Sequence, residues 1–479
     1  MNRLLISAAH KSSGKTTLSV GLCAALAQRR LQVQSFKKGP DYIDPMWLSL
    51  ASGRPCQNLD FFLMGHEEIL ATFSNYAQDA DISVIEGNKG LYDGLDLDGS
   101  NSNAALAKLL DAPVILVIDA RGMTRGVAPL ILGYQAFDPD IRIAGVILNQ
   151  LGGGRHERKL RAVIEHYTDV PVIGAVHHDA RMAIVERHLG LMPSNEASGA
   201  GEKINAIATA VAEQVDLDRL LAISTSARPL PISTMPKKPL IFAAAHPGQA
   251  SADSVPVRLG VARDAAFAFY YPADLESLHQ HGAELVPIDT IKDVRLPKID
   301  GLLIGGGFPE VHMQALEANR SLRSEIQRAI EDGMPVYVEC GGLMYLSRSL
   351  SWKGERYEMV GAIAADTVMH DRPQGRGYVK LRETGKLPWP AIAEHDSRLE
   401  IRAHEFHYST LENVASHLDY AYDVMRGTGI DGQHDGIVYR NVVACYSHMR
   451  DVGGNHWTAR FVEFVRRQRA ARLSTQAAG

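Results

Sequence analysis

Two short stretches of this 479-residue chain carry residue types that could do chemistry together. The first is Ala9-His10-Lys11-Ser12-Ser13-Gly14-Lys15-Thr16-Thr17, which follows an apolar run and opens a helical pattern. A loop placed this way turns backbone N–H groups and a helix N-terminus toward a phosphate. Lys15 would reach the terminal phosphates and the Thr16 hydroxyl a magnesium ion. Lys11, Ser12, Ser13, Gly14, Lys15, Thr16 and Thr17 are therefore the expected ATP-binding residues, although Ala9 stands where the strict pattern has glycine. The second is Pro335-Val336-Tyr337-Val338-Glu339-Cys340-Gly341-Gly342-Leu343-Met344, which reads as strand, sharp turn and helix. It exposes the Cys340 sulfur at a helix N-terminus, a setting that favours the thiolate and nucleophilic attack.

Each site needs further groups. Lys37-Lys38-Gly39-Pro40-Asp41-Tyr42-Ile43-Asp44-Pro45 and Glu86-Gly87-Asn88-Lys89-Gly90-Leu91-Tyr92-Asp93-Gly94 each follow an apolar run. Ligands of open α/β sheets bind at the C-terminal ends of strands, and magnesium prefers hard oxygen donors. Thr16, Asp44 and Glu86 are the expected magnesium ligands; the bland alternative is that these acids cap turns and helices. For Cys340 the expected base is His448, in Ala444-Cys445-Tyr446-Ser447-His448. Gly305-Gly306-Gly307-Phe308-Pro309-Glu310 forms a loop that could offer N–H groups as an oxyanion hole, with Gly306, Gly307 and Gly341 as the candidates. Cys23, Cys56 and Cys445 lack such a context and are assigned to packing.

These residues must be positioned by strands. Leu4–Ala8, Val33–Phe36, Ile82–Glu86, Val114–Asp119, Ile143–Leu148 and Val172–Ala175 are apolar nearly throughout, as buried parallel strands are. Thr16–Arg30 and Asn103–Leu110 read as helices between them. The pattern predicts a doubly wound α/β domain over residues 1–225. A proline-rich stretch, 226–256, reads as a linker, partly ordered at Leu240–Ala244. A second α/β pattern fills 257–479, with strands at Val257–Val261, Glu284–Pro287, Gly301–Ile304 and Val336–Glu339 and more β-like runs after Val360.

A chain of this length exceeds one ordinary core. Its 46% hydrophobic and 22% charged residues describe a soluble protein, and a net charge of -5 gives no basic footprint for nucleic acid. No apolar run reaches membrane-spanning length, and the short apolar start followed by Lys11 and Lys15 does not make a signal peptide. The expectation is a cytoplasmic protein with neither membrane nor nucleic-acid partners, and with a homodimer as one admissible assembly.

The whole chain resembles the cobyrinic acid a,c-diamide synthase family. The marks are Lys38-Gly39-Pro40-Asp41-Tyr42-Ile43-Asp44-Pro45, Gly53-Arg54-Pro55, Asn58-Leu59-Asp60, Gly90-Leu91-Tyr92-Asp93-Gly94, Glu186-Arg187-His188-Leu189-Gly190-Leu191, Glu339-Cys340-Gly341-Gly342 and His404-Glu405-Phe406-His407-Tyr408-Ser409. The resemblance implies a dethiobiotin-synthetase-like ATP domain followed by a flavodoxin-like, class I triad-type glutamine amidotransferase domain. It implies ATP-dependent activation of acetate side-chain carboxylates on a modified tetrapyrrole, with ammonia made from L-glutamine at Cys340. Asp41, Asp93, Lys38 and Tyr42 would then serve ATP, magnesium or the activated substrate. The amidotransferase half resembles relatives lacking the usual acid two residues after the histidine, and Arg450 stands there. What orients His448 is therefore open. His404 and His407 are expected near the glutamine site or a domain interface, outside catalysis.

The chain departs from the family pattern at Asn88 and Lys89, where apolar residues are usual. It departs again at Met46-Trp47-Leu48, where a histidine is usual, and in Asp98-Gly99-Ser100-Asn101-Ser102-Asn103. These positions are expected to line the tetrapyrrole pocket, and they leave siroheme beside cobyrinic acid as a substrate. An amide ligase acting on a cell-wall lipid and a P-loop ATPase or sensor with an inactive glutaminase are the other classes weighed.

Overall fold

The computed structural model describes residues 1–187, 190–197, 199–230, 255–391 and 400–478. The chain forms two compact units, Met1–Pro236 and Lys237–Gly479. Most of the expected linker, including Leu240–Ala244, lies outside the described residues, as do His188 and Leu189 of the family motif.

The first unit runs β1 (Arg3–Ala8), α1 (Lys15–Gln28), β2 (Val33–Lys38), α2 (Ile43–Ser52), β3 (Gln57–Leu59), α3 (His66–Ala77), β4 (Ile82–Glu86), α4 (Asn103–Leu109), β5 (Val114–Asp119), α5 (Val127–Phe137), β6 (Ile143–Leu151), α6 (Gly154–Tyr167) and β7 (Val172–His177). A small hairpin, β8 (Glu186–Arg187) with β9 (Gly190–Leu191), precedes α7 (Ala200–Gln214) and α8 (Leu217–Thr225). Among the described residues, seven strands form one parallel sheet in the order β3-β2-β4-β1-β5-β6-β7. β1, β2, β4 and β5 are buried along their whole length, which explains the apolar runs of β1, β4 and β5; β2 buries Gln34, Ser35, Lys37 and Lys38 as well. One face packs on α1, α2, α7 and α8 through Leu18, Leu22, Leu26, Trp47, Ile207, Val211 and Leu220. The loops after β1, β2 and β4 leave neighbouring strands at the same edge. β3 goes unpredicted because three residues carry no readable alternation.

The second unit begins β10 (Val257–Ala262), β11 (Phe267–Phe269), α9 (Pro272–Gln280), β12 (Ala283–Ile288), β13 (Gly301–Ile304), β14 (Gly306–Gly307), α10 (Met313–Ala318), α11 (Arg320–Glu331), β15 (Val336–Glu339) and α12 (Gly341–Leu346). A strand-rich part follows: β16 (Ser349–Trp352), β17 (Glu355–Glu358), β18 (Asp366–Met369), β19 (Gly375–Glu383), β20 (Ile401–His407), β21 (Ser409–Glu412), β22 (Asp419–Arg426), β23 (His434–Tyr439) and β24 (Val442–Cys445), then α13 (Trp457–Ala478). The main sheet has the order β12-β10-β13-β15-β24-β23-β22-β19-β20. Its first five strands are parallel and carry the 2-1-3-4-5 order of flavodoxin-like folds; the rest is antiparallel. Side chains alternate across it: Val336 and Val338 enter the core under α10 to α12, while Tyr337 enters the one under α9 and α13.

Candidate active sites

In the first unit Gly14 caps α1 with φ 83°, a left-handed conformation natural to glycine. A β-carbon there would lie 2.3 Å from Asn149 Nδ2. Asn149, at the end of β6, donates to Ser13 O at 2.9 Å, and Ser13 Oγ donates to His10 O at 2.8 Å, so the loop is tied on two sides. Lys15 is buried at the helix start. Burial lowers its ammonium to about 8, against the pull of Glu86.

Thr16, Asp44 and Glu86 come together. The Thr16 hydroxyl donates to Glu86 Oε1 at 2.8 Å and lies 3.2 Å from Asp44 Oδ2. Sequence reasoning missed Lys37, the last-but-one residue of β2. Its buried ammonium donates to Asp44 Oδ2 at 2.6 Å and Glu86 Oε1 at 2.7 Å. Burial opposes charge on Lys37, but these carboxylates outweigh it and raise its pKa. Burial likewise opposes the Asp44 carboxylate, yet Lys37 and Thr16 hold it below the usual range. Glu86, fully buried, is left above that range. Among the described residues its Oε2 has no hydrogen-bond partner. A hydroxyl, two carboxylates and one unsatisfied buried oxygen suit a hard divalent cation that also keeps waters and phosphate oxygens.

The other expected residues divide. Asp41 Oδ1 accepts from Ile43 N and Asp44 N, so it caps the start of α2, while Oδ2 lies 3.9 Å from Lys37 Nζ. Burial and then Asp44 push Asp41 up to about 7, although a third of its side chain meets solvent. Asp93 Oδ2 accepts from Gly90 N at 2.9 Å and closes its own turn. Lys38 lies 3.3 Å from Asn88 Oδ1 and is lowered to about 8, by burial foremost. Tyr42 is buried beside this turn. Two expectations about pocket-lining residues are corrected. Trp47 and Leu48 are buried in the core, where Trp47 Nε1 donates to Met192 O at 2.8 Å. Asn103 is fully buried too, spanning Ser7 Oγ, Gly90 O and the backbone of Asn88. Apolar volume in one case and inward amide bonding in the other explain the placement.

In the second unit Cys340 sits between β15 and α12 at φ 48° and ψ −101°, the strained turn of a nucleophile elbow. β24 is the next strand of the sheet. Cys340 N donates to Cys445 O at 2.7 Å, and this register delivers His448 to Cys340. Burial disfavours the His448 imidazolium, but contacts with Cys340 and Glu339 prevail and raise it to about 10. Glu339 Oε2 lies 3.3 Å from His448 Nδ1, near enough for an ion pair though off the line of a hydrogen bond. The other oxygen of Glu339 accepts from Tyr337 Oη at 2.6 Å and Met449 N at 2.8 Å. The acid facing the histidine thus comes from the strand before the nucleophile. Its signal was present in Glu339-Cys340-Gly341-Gly342, but the expected place for an acid was after His448, where Arg450 is buried beneath the Tyr271 ring.

Gly306 and Gly307 lie on the same centre, not in a free loop but in a short strand paired with β11. A β-carbon on Gly306 would meet His448 Cε1 at 2.7 Å, and one on Gly341 would meet Gly307 N at 3.1 Å. His404 exchanges backbone hydrogen bonds with His448 and stacks on it with ring centres 4.9 Å apart. Burial drives His404 toward the neutral form. His407 stacks on Tyr446 at 3.9 Å. His404 therefore lies against His448, and His407 against the residue two before it. Cys23, Cys56 and Cys445 are buried, and burial raises each thiol.

Comparison with known proteins decides the family. Residues 5–191 match the CobQ/CobB/MinD/ParA nucleotide binding domain, and residues 258–452 match the CobB/CobQ-like glutamine amidotransferase domain. A cobyrinate a,c-diamide synthase of Magnetococcus marinus is 48% identical over 97% of both chains. One of Methanosarcina acetivorans is 41% identical over 98% of this chain and 96% of its own. One of Archaeoglobus fulgidus is 40% identical over 96% and 97%. This chain belongs to the cobyrinate a,c-diamide synthase family. It is a glutamine-dependent amidotransferase with a nucleotide-binding domain. The siroheme alternative finds no support in these relatives, despite Asn88 and Lys89. No helix among the described residues is long and apolar enough to cross a membrane.

Proposed function

We propose that this chain amidates the a and c acetate side chains of cobyrinate, using ATP to activate each carboxylate and glutamine as the nitrogen source. One observation carries the reading. A single chain holds both a phosphate loop whose Thr16 meets two acids and a Cys340–His448–Glu339 cluster at a strained elbow. Carboxylates are poor electrophiles, which gives the first site its purpose.

At the second site Cys340 Sγ attacks the glutamine carboxamide carbon. N–H groups near Gly306, Gly307 and Gly341 receive the developing oxyanion. His448 gives a proton to the leaving nitrogen, ammonia departs, and water releases glutamate from the thioester. Glu339 holds the imidazole and balances its charge. At the first site a cobyrinate carboxylate oxygen attacks the γ-phosphorus of ATP, and ADP leaves. Ammonia then attacks the acyl phosphate carbon, phosphate departs and the amide remains. Lys15 and the α1 N-terminus bind the phosphates. Thr16, Asp44 and Glu86 would hold Mg²⁺, which when bound neutralises phosphate charge during transfer. Lys37 keeps the two acids paired in the meantime. Asp41, Lys38, Tyr42 and Asp93 border this site and serve the carboxylate or its phosphate.

The test is direct. The purified chain is given Mg-ATP and glutamine with cobyrinic acid or siroheme, and product masses are read. Replacement of OH by NH₂ on cobyrinic acid, with siroheme unaltered, is the expected result. Amidation of siroheme alone would overturn the substrate assignment.

A further inference from the structure

Gly305-Gly306-Gly307 has no side chain to pack, so other residues must fix the peptide planes that face an oxyanion. β11 supplies part of the hold. Phe267 pairs with Gly307 and Phe269 with Gly306. Phe308 N donates to Ala266 O at 3.0 Å. The turn ahead of β11 is anchored in its own right. Asp264 Oδ1 accepts from Ala266 N at 2.7 Å and Phe267 N at 3.0 Å, and Oδ2 accepts from the backbone N–H and the hydroxyl of Thr290.

At Gly305, where the chain leaves β13, a side chain takes over. Tyr270, the residue after β11, places its hydroxyl between two strand ends. It donates to the carbonyl of Ala262, the last residue of β10, at 2.6 Å, and it accepts from Gly305 N at 2.9 Å. With the proton committed to Ala262, a lone pair faces Gly305 and fixes the Ile304–Gly305 peptide plane. The ring lies against the glycine: a β-carbon on Gly305 would meet Tyr270 Cε1 at 2.7 Å and Phe269 O at 2.6 Å. Burial raises the phenol above its ordinary range, so the hydroxyl stays neutral. The next residue, Gly306, is wedged between two rings. A β-carbon there would lie 3.3 Å from Phe269 Cδ2, with His448 on its other contact.

We propose that Tyr270 is a positioning residue of the glutaminase, its hydroxyl setting the first peptide of the loop so that the N–H groups of Gly306 and Gly307 meet the oxyanion. The proposal rests on the reading of those two glycines as oxyanion donors. Tyr270 touches no reacting atom; it acts through Gly305. The oxyanion exists only after Cys340 has attacked, so the tether counts in the transition state and not in glutamine binding.

The test is Tyr270→Phe in the full chain, which keeps the ring and removes only the oxygen. Losing a whole oxyanion donor costs about a hundredfold or more in kcat, and loosening one costs less, so glutaminase kcat is expected to fall about tenfold. KM for glutamine should stay within about twofold of the wild type. The exchange is neutral for neutral, so the alkaline limb of the pH profile should not move. Alkylation of Cys340 by iodoacetamide, read from the mass of its peptide, forms no oxyanion and should keep its wild-type rate. Wild-type kcat in the variant would overturn the role of Tyr270 and leave the oxyanion reading standing. A raised KM with kcat unchanged would make Tyr270 a glutamine-binding residue and overturn the proposal. A fall in kcat matched by slower alkylation would mean that the whole centre has loosened, and the specific tether would be wrong. A wild type that does not hydrolyse glutamine would overturn the reading of the second site and the proposal with it.

Discussion

Burial disfavours an imidazolium, yet His448 holds its proton up to about 10 through Cys340 and Glu339. A raised histidine stabilises the fold fully below its ordinary range near 6.5, and the contribution fades as pH climbs toward 10. Removing the Glu339 charge disfavours the protonated ring, so its pKa must fall. Glu339→Gln is therefore predicted to move the alkaline limb of the glutaminase kcat/KM profile down by about one unit or more. An unmoved limb would show that Glu339 only packs. Lys37 gives a second residue-scale prediction. Lys37→Met leaves Asp44 and Glu86 facing each other without their buried cation, which costs about 3 kcal/mol or more. Thermal unfolding without nucleotide should show a clearly lowered Tm, with Mg²⁺ and ATP restoring part of it.

At the scale of elements, the join between β1 and α1 is the most sensitive. Gly14→Ala meets both the φ of 83° and Asn149 at 2.3 Å, so the loop must shift. A rise in the KM for ATP of about tenfold or more is expected, with glutaminase turnover unaffected. Equal KM values would mean that Asn149 simply yields. The same elements show what could be read beforehand. β4, β5, β13 and β15 are legible to the residue because continuous apolar runs end at glycine or polar turns. Cys340 and the phosphate loop were legible because strand, turn and helix occupy adjacent positions in sequence. The Glu339–His448 contact spans more than a hundred residues and depends on the register of β15 with β24. Lys37 pairs with Glu86 only because β2 and β4 are sheet neighbours. Trp47 was misplaced because a family position was read as a pocket position, whereas the α2 face it occupies is packed.

In the whole molecule two chemistries join in one reaction. Lys15→Ala should end amide formation with glutamine or with free ammonium, because neither source helps an unactivated carboxylate; persistence of synthesis near wild type would remove Lys15 from the phosphate site. Cys340→Ala should end only the use of glutamine. The most direct measurement therefore supplies cobyrinic acid, Mg-ATP and glutamine labelled with ¹⁵N in its amide, first to the wild type and then to Cys340→Ala with unlabelled ammonium added. The account predicts a labelled amide from the wild type and an unlabelled amide from the variant. A labelled product from Cys340→Ala, or no product from it with either nitrogen source, would contradict it.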